Sequence, residues 1–305
     1  MKTKNLNLVL LLGSVLLITG CGSSASSLTN PPEKACYETG CAAIVGAQKI
    51  VDPKKEYVYP DNSQFPDKGK REQYRAPYAF LDLSQVSGNL ALSKNFRLSD
   101  FAIPQKGRYG LVLPQLVKMV QNMHNKLGTG LRITSGYRSP GYNSGTPDSA
   151  SWSRHTYGDA VDIQHAKRSL KQLRTACVEN KASFFLLYPK HIHCDWRSVP
   201  LDPAFYPPSV SQPNPEQALE NNQLAMTKGS KIIFSPVNNG IQIATVLPLT
   251  DLEGVPVHEW VIHSPSGKVY EFIDSQIQFI PQEFGTYHVE VKVGDFFTLQ
   301  ARFNW

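Results

Sequence analysis

The chain has no apolar run long enough to cross a membrane as a helix. The stretch Leu8 to Ile18 falls short of the roughly 20 residues a span requires, and behind Lys2 and Lys4 it suits a secretory signal instead. There is also no dense basic run with interleaved aromatics. The balance of 31 Lys and Arg against 25 Asp and Glu leaves a formal charge of +6, which fits an envelope with anionic polymers and gives no footprint for nucleic acid. Cysteine is sparse, at five. Four remain beyond Cys21, an even number that favours disulfides in an exported, oxidising setting. Cys36 and Cys41 would close a short loop, and Cys177 on an expected helix would meet Cys194. Connectivity stays open at this level, and Cys194 as a metal ligand is an alternative disfavoured by its strand face, opposite to that of His193. The length of 305 residues suggests two domains, and 41% hydrophobic residues supplies ordinary globular cores.

Two short stretches carry chemistry: Ser153-Arg-His155-Thr-Tyr-Gly158-Asp-Ala160-Val-Asp162 and, about thirty residues on, His191-Ile-His193-Cys-Asp195. Imidazoles and carboxylates are what a catalytic zinc ion binds. His155 and Asp162, seven apart, would face opposite sides of one strand and lie roughly 10 Å apart along one helix. Neither arrangement reaches a single ion, so the chain must bend near Gly158, where glycine tolerates the conformation. His191 and His193 are two apart and follow the run Phe184-Phe-Leu-Leu-Tyr188, which reads as extended; both imidazoles then point to one face. One would ligate metal while the other meets the reacting water.

The set Ser153, His155, Gly158, Ala160 and Asp162, with the later His-x-His, resembles the zinc D-alanyl-D-alanine peptidases, the group that also includes lysostaphin-type enzymes and the hedgehog domain. Leu92-Ser-Lys-Asn-Phe96-Arg-Leu-Ser-Asp-Phe101 and Ile133-Thr-Ser-Gly136-Tyr137-Arg138-Ser139-Pro140 are similar to the peptidase branch as well. The resemblance, over about residues 91 to 200, implies that His155, Asp162 and His193 bind Zn2+, which activates water and polarises the scissile carbonyl. It implies His191 as general base or proton donor. Arg138 would grip a substrate carboxylate or stabilise the developing oxyanion. Some relatives place a glutamate three residues before the last ligand; here that residue is Lys190, so the histidine variant fits. Asp195 rivals His191, either orienting His193 or acting on water itself. Ser153 and Tyr157 are candidates to hydrogen-bond substrate or ligands, alongside turn and solvated roles. His165 reads as a surface residue, His124 as a helix residue without a partner motif, and His258, His263 and His288 as strand-surface residues.

The sequence Leu17-Ile18-Thr19-Gly20-Cys21 resembles the bacterial lipoprotein signal, which implies cleavage before Cys21, its acylation, and a lipid anchor on a membrane surface. Gly22 after the cysteine would favour an outer membrane facing the periplasm in a Gram-negative cell. The expected organisation is therefore a signal at 1–20, a Ser-rich tether and irregular wrapping segment at 21–90, a zinc domain at 91–200, a Pro/Asn/Gln-rich linker at 201–229 and an accessory domain at 230–305.

Pro114 opens a helix with Leu116, Val117, Val120, Met123 and Leu127 on one face, stopped by Gly128. Residues 130–134 form a strand, and Lys167 to Glu179 a second helix. These elements suggest an α+β domain; the resemblance adds a hedgehog/DD-peptidase-like small antiparallel sheet with zinc in a cleft. Beyond the linker, seven alternating segments (231–237, 241–247, 259–263, 268–273, 276–280, 286–293 and 296–303) suggest an immunoglobulin-like β-sandwich. It would serve as spacer, wall-binding module or docking module for an envelope partner. The function implied is hydrolysis of D-alanine amides in peptidoglycan stem peptides, by carboxypeptidase or endopeptidase action. The competing expectations are a noncatalytic zinc-stabilised binding lipoprotein and a scaffold whose β-sandwich is the working part.

Overall fold

The computed structural model describes residues 33–50, 54–197, 201–207, 215–248, 252 and 254–305. Cys21 and the expected signal segment lie outside the described residues. The architecture is mixed α/β, with four small antiparallel sheets among the described residues.

The first sheet joins β1 (Lys34–Cys36), β2 (Cys41–Gly46), β3 (Ala79–Asp82) and β4 (Tyr109–Gly110) in that order. A disulfide between Cys36 and Cys41 closes the β1–β2 hairpin. The stretch 33–90, expected to be irregular, thus supplies three strands, and between them a strap of 3-10 turns at Lys54–Tyr57, Asn62–Gln64 and Lys68–Tyr74. Tyrosines tie this strap down. The Tyr57 hydroxyl accepts the Tyr109 N–H at 2.8 Å, and the Tyr59 hydroxyl donates to the Thr156 carbonyl at 2.8 Å.

Next come α1 (Leu98–Phe101) and α2 (Pro114–Leu127). Proline pre-sets the first turn of α2, and Gly128 at φ 83° ends it. Its apolar stripe, Leu116, Val117, Val120, Met123 and Leu127, is buried. The second sheet contains β5 (Leu131–Ser135), β6 (Ala160–His165), β7 (Phe184–Leu187) and β8 (Ile192–Asp195) in the order β5-β6-β8-β7. Short α3 (Pro140–Ser144) follows β5, and α4 (Leu170–Glu179) crosses from β6 to β7. The α4 helix begins three residues later than its apolar pattern suggests, because Ser169 caps it in a reciprocal arrangement with Gln172. A second disulfide links Cys177 on α4 to Cys194 on β8. The run from Phe184 to His193 is a hairpin rather than one extended segment: Pro189 and Lys190 make the turn, and the Tyr188 N–H donates to the His191 carbonyl at 2.9 Å.

In place of an unstructured linker, residues 215–229 form α5 (Pro215–Gly229). Ala218, Asn222 and Met226, four apart, are its buried face. The chain then runs through β9 (Lys231–Val237), β10 (Gly240–Val246), β11 (His258–His263), β12 (Val269–Ile273), β13 (Gln276–Phe279), β14 (Thr286–Val293) and β15 (Phe297–Asn304). They form a three-stranded sheet, β13-β10-β9, and a four-stranded sheet, β12-β11-β14-β15. Phe279 of the smaller sheet meets Tyr287 and Tyr270 of the larger at ring-centroid distances of 5.5 and 5.1 Å. His258, expected on a strand surface, is buried: its ring bonds the Pro256 carbonyl and the Thr245 hydroxyl at 2.8 Å each. His263 and His288 are exposed.

A closed circuit of three backbone hydrogen bonds joins the C-terminal strands to the second sheet. The Leu187 N–H donates to the Gly294 carbonyl, the Gly294 N–H to Val257, and the Val257 N–H to Leu187, at 2.9, 2.7 and 2.9 Å. Phe296 packs between Phe184 and Phe185 at 4.7 and 5.0 Å, so the edge of β7 is covered instead of open to pairing.

Candidate metal centre

The bend required between His155 and Asp162 occurs at Gly158, which adopts the left-handed conformation at φ 76°. A Cβ there would come within 2.6 Å of Leu111 Cβ, so both backbone angle and space select glycine. His155 lies in the 3-10 turn Arg154–Tyr157, and the chain reverses through Gly158 into β6, which carries Asp162. Asp162 in turn pairs across the sheet with His193 on β8.

Three ligand atoms converge. Asp162 Oδ1 lies 3.0 Å from His193 Nδ1 and 3.3 Å from His155 Nε2, and the two imidazole nitrogens are 3.2 Å apart. Tetrahedral zinc with bonds near 2.0–2.1 Å separates its ligand atoms by about 3.3 Å, which these spacings match. The outer nitrogens fix the tautomers. His155 Nδ1–H donates to the Gly136 carbonyl at 2.7 Å, and His193 Nε2 faces Asp195 Oδ2 at 3.3 Å, so Nε2 of one ring and Nδ1 of the other are left for an ion. Without a metal, the cluster needs a proton. Burial alone would lower the pKa of His193, but its hydrogen bonds to Asp162 and Asp195 pull it up to about 9. For Asp162, burial opposes ionisation, and His155 and His193 outweigh it, holding the carboxyl well below its usual range. The donor set, the tautomers and the distances fit Zn2+.

The remaining expected site residues fall into two groups. His191 stands at the open side, its side chain 31% exposed, with Nε2 3.8 Å from Asp162 Oδ1. Its ring stacks on Tyr188 at 4.8 Å and 15°. Arg138 follows β5 and lies against the His155 turn through its backbone N–H, which donates to the His155 carbonyl at 3.2 Å. Asp195, by contrast, is inside. Its carboxylate receives the Arg197 guanidinium on both oxygens and meets the far side of His193, away from Asp162. Ser153 and Tyr157 are also interior. Ser153 opens the His155 turn, its carbonyl accepting the Thr156 N–H at 3.1 Å and hydroxyl at 2.8 Å. Tyr157 is packed among Tyr59 and Tyr74, where its carbonyl accepts the Tyr206 hydroxyl at 2.8 Å. Both side chains are buried, Ser153 at 1% and Tyr157 at 0% exposure, rather than lining open surface.

Three contributors escape notice in the sequence. Arg154, between two motif residues, forms a buried ion pair with Asp159 and stacks on Tyr74 and Tyr157 at 4.8 and 4.5 Å. Arg197 lies two residues beyond the second motif and holds Asp195. Lys106, on the turn Pro104–Lys106, points its ammonium at Ser135 Oγ, 3.3 Å away. A cavity of ≈ 660 Å³ lined by Tyr37, Leu113, Val117, Trp196 and Asp202 is elsewhere, with none of the three ligands in its wall.

Comparison with known families adds one finding: the family model described as Peptidase M15 matches residues 94–195. The match spans Arg138, the His155–Asp162 bend and the whole of β8. No curated protein and no solved structure matches the chain. M15 peptidases are zinc-dependent, so the matched segment supports a zinc metallopeptidase, a hydrolase acting on peptidoglycan-like substrates in general, and its His155, Asp162 and His193 are the group able to hold the metal.

Proposed function

We propose that this protein is a zinc peptidase of the cell envelope that hydrolyses D-alanine-containing amide bonds of peptidoglycan stem peptides, as a D,D-carboxypeptidase or D,D-endopeptidase. The observation that carries this reading is the juxtaposition of a zinc-matched triad with His191, 3.8 Å from Asp162 on the open side, inside the segment matched by the peptidase family. When bound, zinc supplies Lewis acidity toward the scissile carbonyl and activates the attacking water. His191, part-exposed with Nε2 toward Asp162, would take a proton from the attacking water and return it to the departing amine. Asp195, locked on Arg197, keeps the His193 ring in the tautomer that presents Nδ1. Arg138, buried next to the His155 turn, would supply a fixed positive charge for the oxyanion or a substrate carboxylate.

The wider reading follows the sequence. Cleavage before Cys21 and acylation place the enzyme on a membrane surface, facing the periplasm if the cell is Gram-negative. The fold around the triad is of the hedgehog and D,D-peptidase kind, and the C-terminal pair of sheets is an immunoglobulin-like sandwich available to an envelope partner. The test is incubation of the soluble protein with defined muropeptides, with and without a chelator, followed by mass spectrometry. Chelator-sensitive loss of one D-alanine supports the carboxypeptidase form, and splitting of cross-linked dimers the endopeptidase form. Zinc-loaded protein that cleaves neither substrate would leave zinc a purely structural role and overturn the reading.

A further inference from the structure

Lys106 has no assigned task, yet its position is closely determined. It ends a 3-10 turn and is followed by Gly107 at φ 132°, where a Cβ would come within 2.7 Å of Ser139 Cβ. That close approach lets the Lys106 carbonyl accept the Ser139 N–H at 2.8 Å, fixing the turn against the residue after Arg138. From there the half-buried Lys106 side chain reaches Ser135 Oγ, and Ser135 is the sheet partner of Asp162. Its ammonium therefore lies over the same end of the sheet as the metal ligands.

The electrostatics of this corner are unusual for a resting surface. Burial lowers the pKa of Lys106, the charge of Arg138 lowers it further, and Asp162 alone opposes them. Asp162 is committed to the metal triad, and among the described residues no carboxylate is within ion-pair distance of the Lys106 ammonium. The half-buried Lys106 ammonium is thus hydrogen-bonded to a neutral hydroxyl, Ser135 Oγ at 3.3 Å, and an anion arriving there would supply the countercharge.

We propose that Lys106 is the carboxylate-binding residue of the substrate site, gripping the free carboxylate beyond the scissile amide, and that Arg138 is thereby left to the developing oxyanion. The inference rests on the peptidase reading above and divides between two side chains the two tasks otherwise given to one. A lysine suits the carboxylate role as a compact charge on a flexible stem, whereas the planar fork of Arg138 suits a fixed oxyanion position.

The test compares two ligands on the zinc-loaded protein: a non-cleavable reduced-amide analogue of D-alanyl-D-alanine as the free acid, and the same compound as its carboxamide. Calorimetry should show the wild type binding the acid at least tenfold more tightly than the amide. Lys106→Met should lose most of that preference with amide affinity unchanged, and Lys106→Arg should keep part of it. Zinc content and melting temperature establish that the variants are folded. If the wild type cleaves muropeptides and Lys106→Met retains the full acid preference, the assignment of Lys106 fails while the peptidase reading stands. If the wild type neither cleaves muropeptides nor binds either analogue, the peptidase reading fails and takes this inference with it.

Discussion

The two halves of the chain treat buried polarity in opposite ways. Along β14, Tyr287, Val289, Val291 and Val293 are buried while Thr286 and His288 are exposed, and the interior between the C-terminal sheets is built from such residues. Its buried His258 is held by neutral partners, and burial lowers its pKa, keeping the ring uncharged. Around the second sheet the same depth of burial contains Arg154 with Asp159 and Arg197 with Asp195. Each desolvated ion costs several kcal/mol before its partner compensates. Among the described residues, the ion pairs with both side chains buried lie beside the ligand-bearing turn and strand, and the C-terminal sheets contain none with both partners buried.

The sharpest way to break this contrast is Asp195→Ala. It leaves the buried Arg197 charge without its carboxylate and His193 Nε2 without its acceptor. The expected loss is about 3–5 kcal/mol of folding stability with a roughly 10- to 100-fold drop in zinc affinity, measured by denaturant unfolding and chelator competition. Val291→Ala in the other half should cost about 1–3 kcal/mol, in line with core truncations, and leave zinc affinity unchanged. Acid should discriminate as well. Burial opposes ionisation of Asp195, but Arg197 and His193 hold its carboxyl below the ordinary range. A depressed native pKa means that the pair's contribution is complete above the unfolded value of about 3.9 and is lost as pH falls toward the native one. The acid limb of wild-type stability should therefore flatten in Asp195→Ala and persist in Val291→Ala.

Next in size is the Cys177–Cys194 bridge, whose half-cystine separates His193 from Asp195 on β8. On the chain-entropy argument, a sequence separation of 17 corresponds to about 3 kcal/mol. The Cys36–Cys41 bridge, with a separation of 5, corresponds to about 2 kcal/mol. Replacing each pair by alanines should rank them in that order by denaturant midpoint, and only the first should also weaken zinc.

The seam between the halves supplies a third test. Gly294, at φ 58°, belongs to the three-bond circuit with Leu187 and Val257, and a Cβ there would approach Leu186 Cδ2 to 2.4 Å. Gly294→Val combines a left-handed angle with β-branching and should cost about 2 kcal/mol. Limited proteolysis should then release the C-terminal strands before the second sheet is cut. Release of both halves at the same rate would mean that the seam is not the weak point.

What the sequence made legible follows from how local each signal is. The C-terminal strands were readable because alternation with period two is written into neighbouring residues, and the structure shifts their ends by only a residue or so, as in Ile241 to Leu247 against Gly240–Val246. The α2 helix was marked at both ends by Pro114 and Gly128. Helix α5 was hidden because its buried stripe contains Asn222, whose amide donates to the Ser183 carbonyl at 2.8 Å and whose oxygen accepts from Lys70; a polar residue in the inward row breaks the periodic signal. The strap at 54–74 was illegible because tyrosines bonded across the fold hold it, as Tyr59 is to Thr156, 97 residues away. In the site, His155, Asp162 and His193 were legible as ligand types. The interior placement of Asp195 and Ser153 depends on Arg197 and on the direction of the turn, which spacing does not encode.

The smallest expected effect bears on whether the C-terminal half reaches the chemistry at all. Tyr188 stacks on His191 and follows directly on Leu187, the residue bonded to Val257 and Gly294; a Cβ on Gly254 would lie 3.9 Å from the Tyr188 ring. The ring that steadies His191 is thus itself backed by the C-terminal segment. Tyr188→Leu keeps an apolar side chain but removes the stacked face, a contact worth about 0.5–1.5 kcal/mol, so kcat should fall about 2- to 12-fold while zinc content stays at the wild-type level. Gly294→Val should lower kcat in the same direction if loosening the seam lets Tyr188 move. A normal kcat in Gly294→Val beside a reduced one in Tyr188→Leu would confine the support of His191 to the hairpin, and the two halves would then be joined in structure but separate in chemistry.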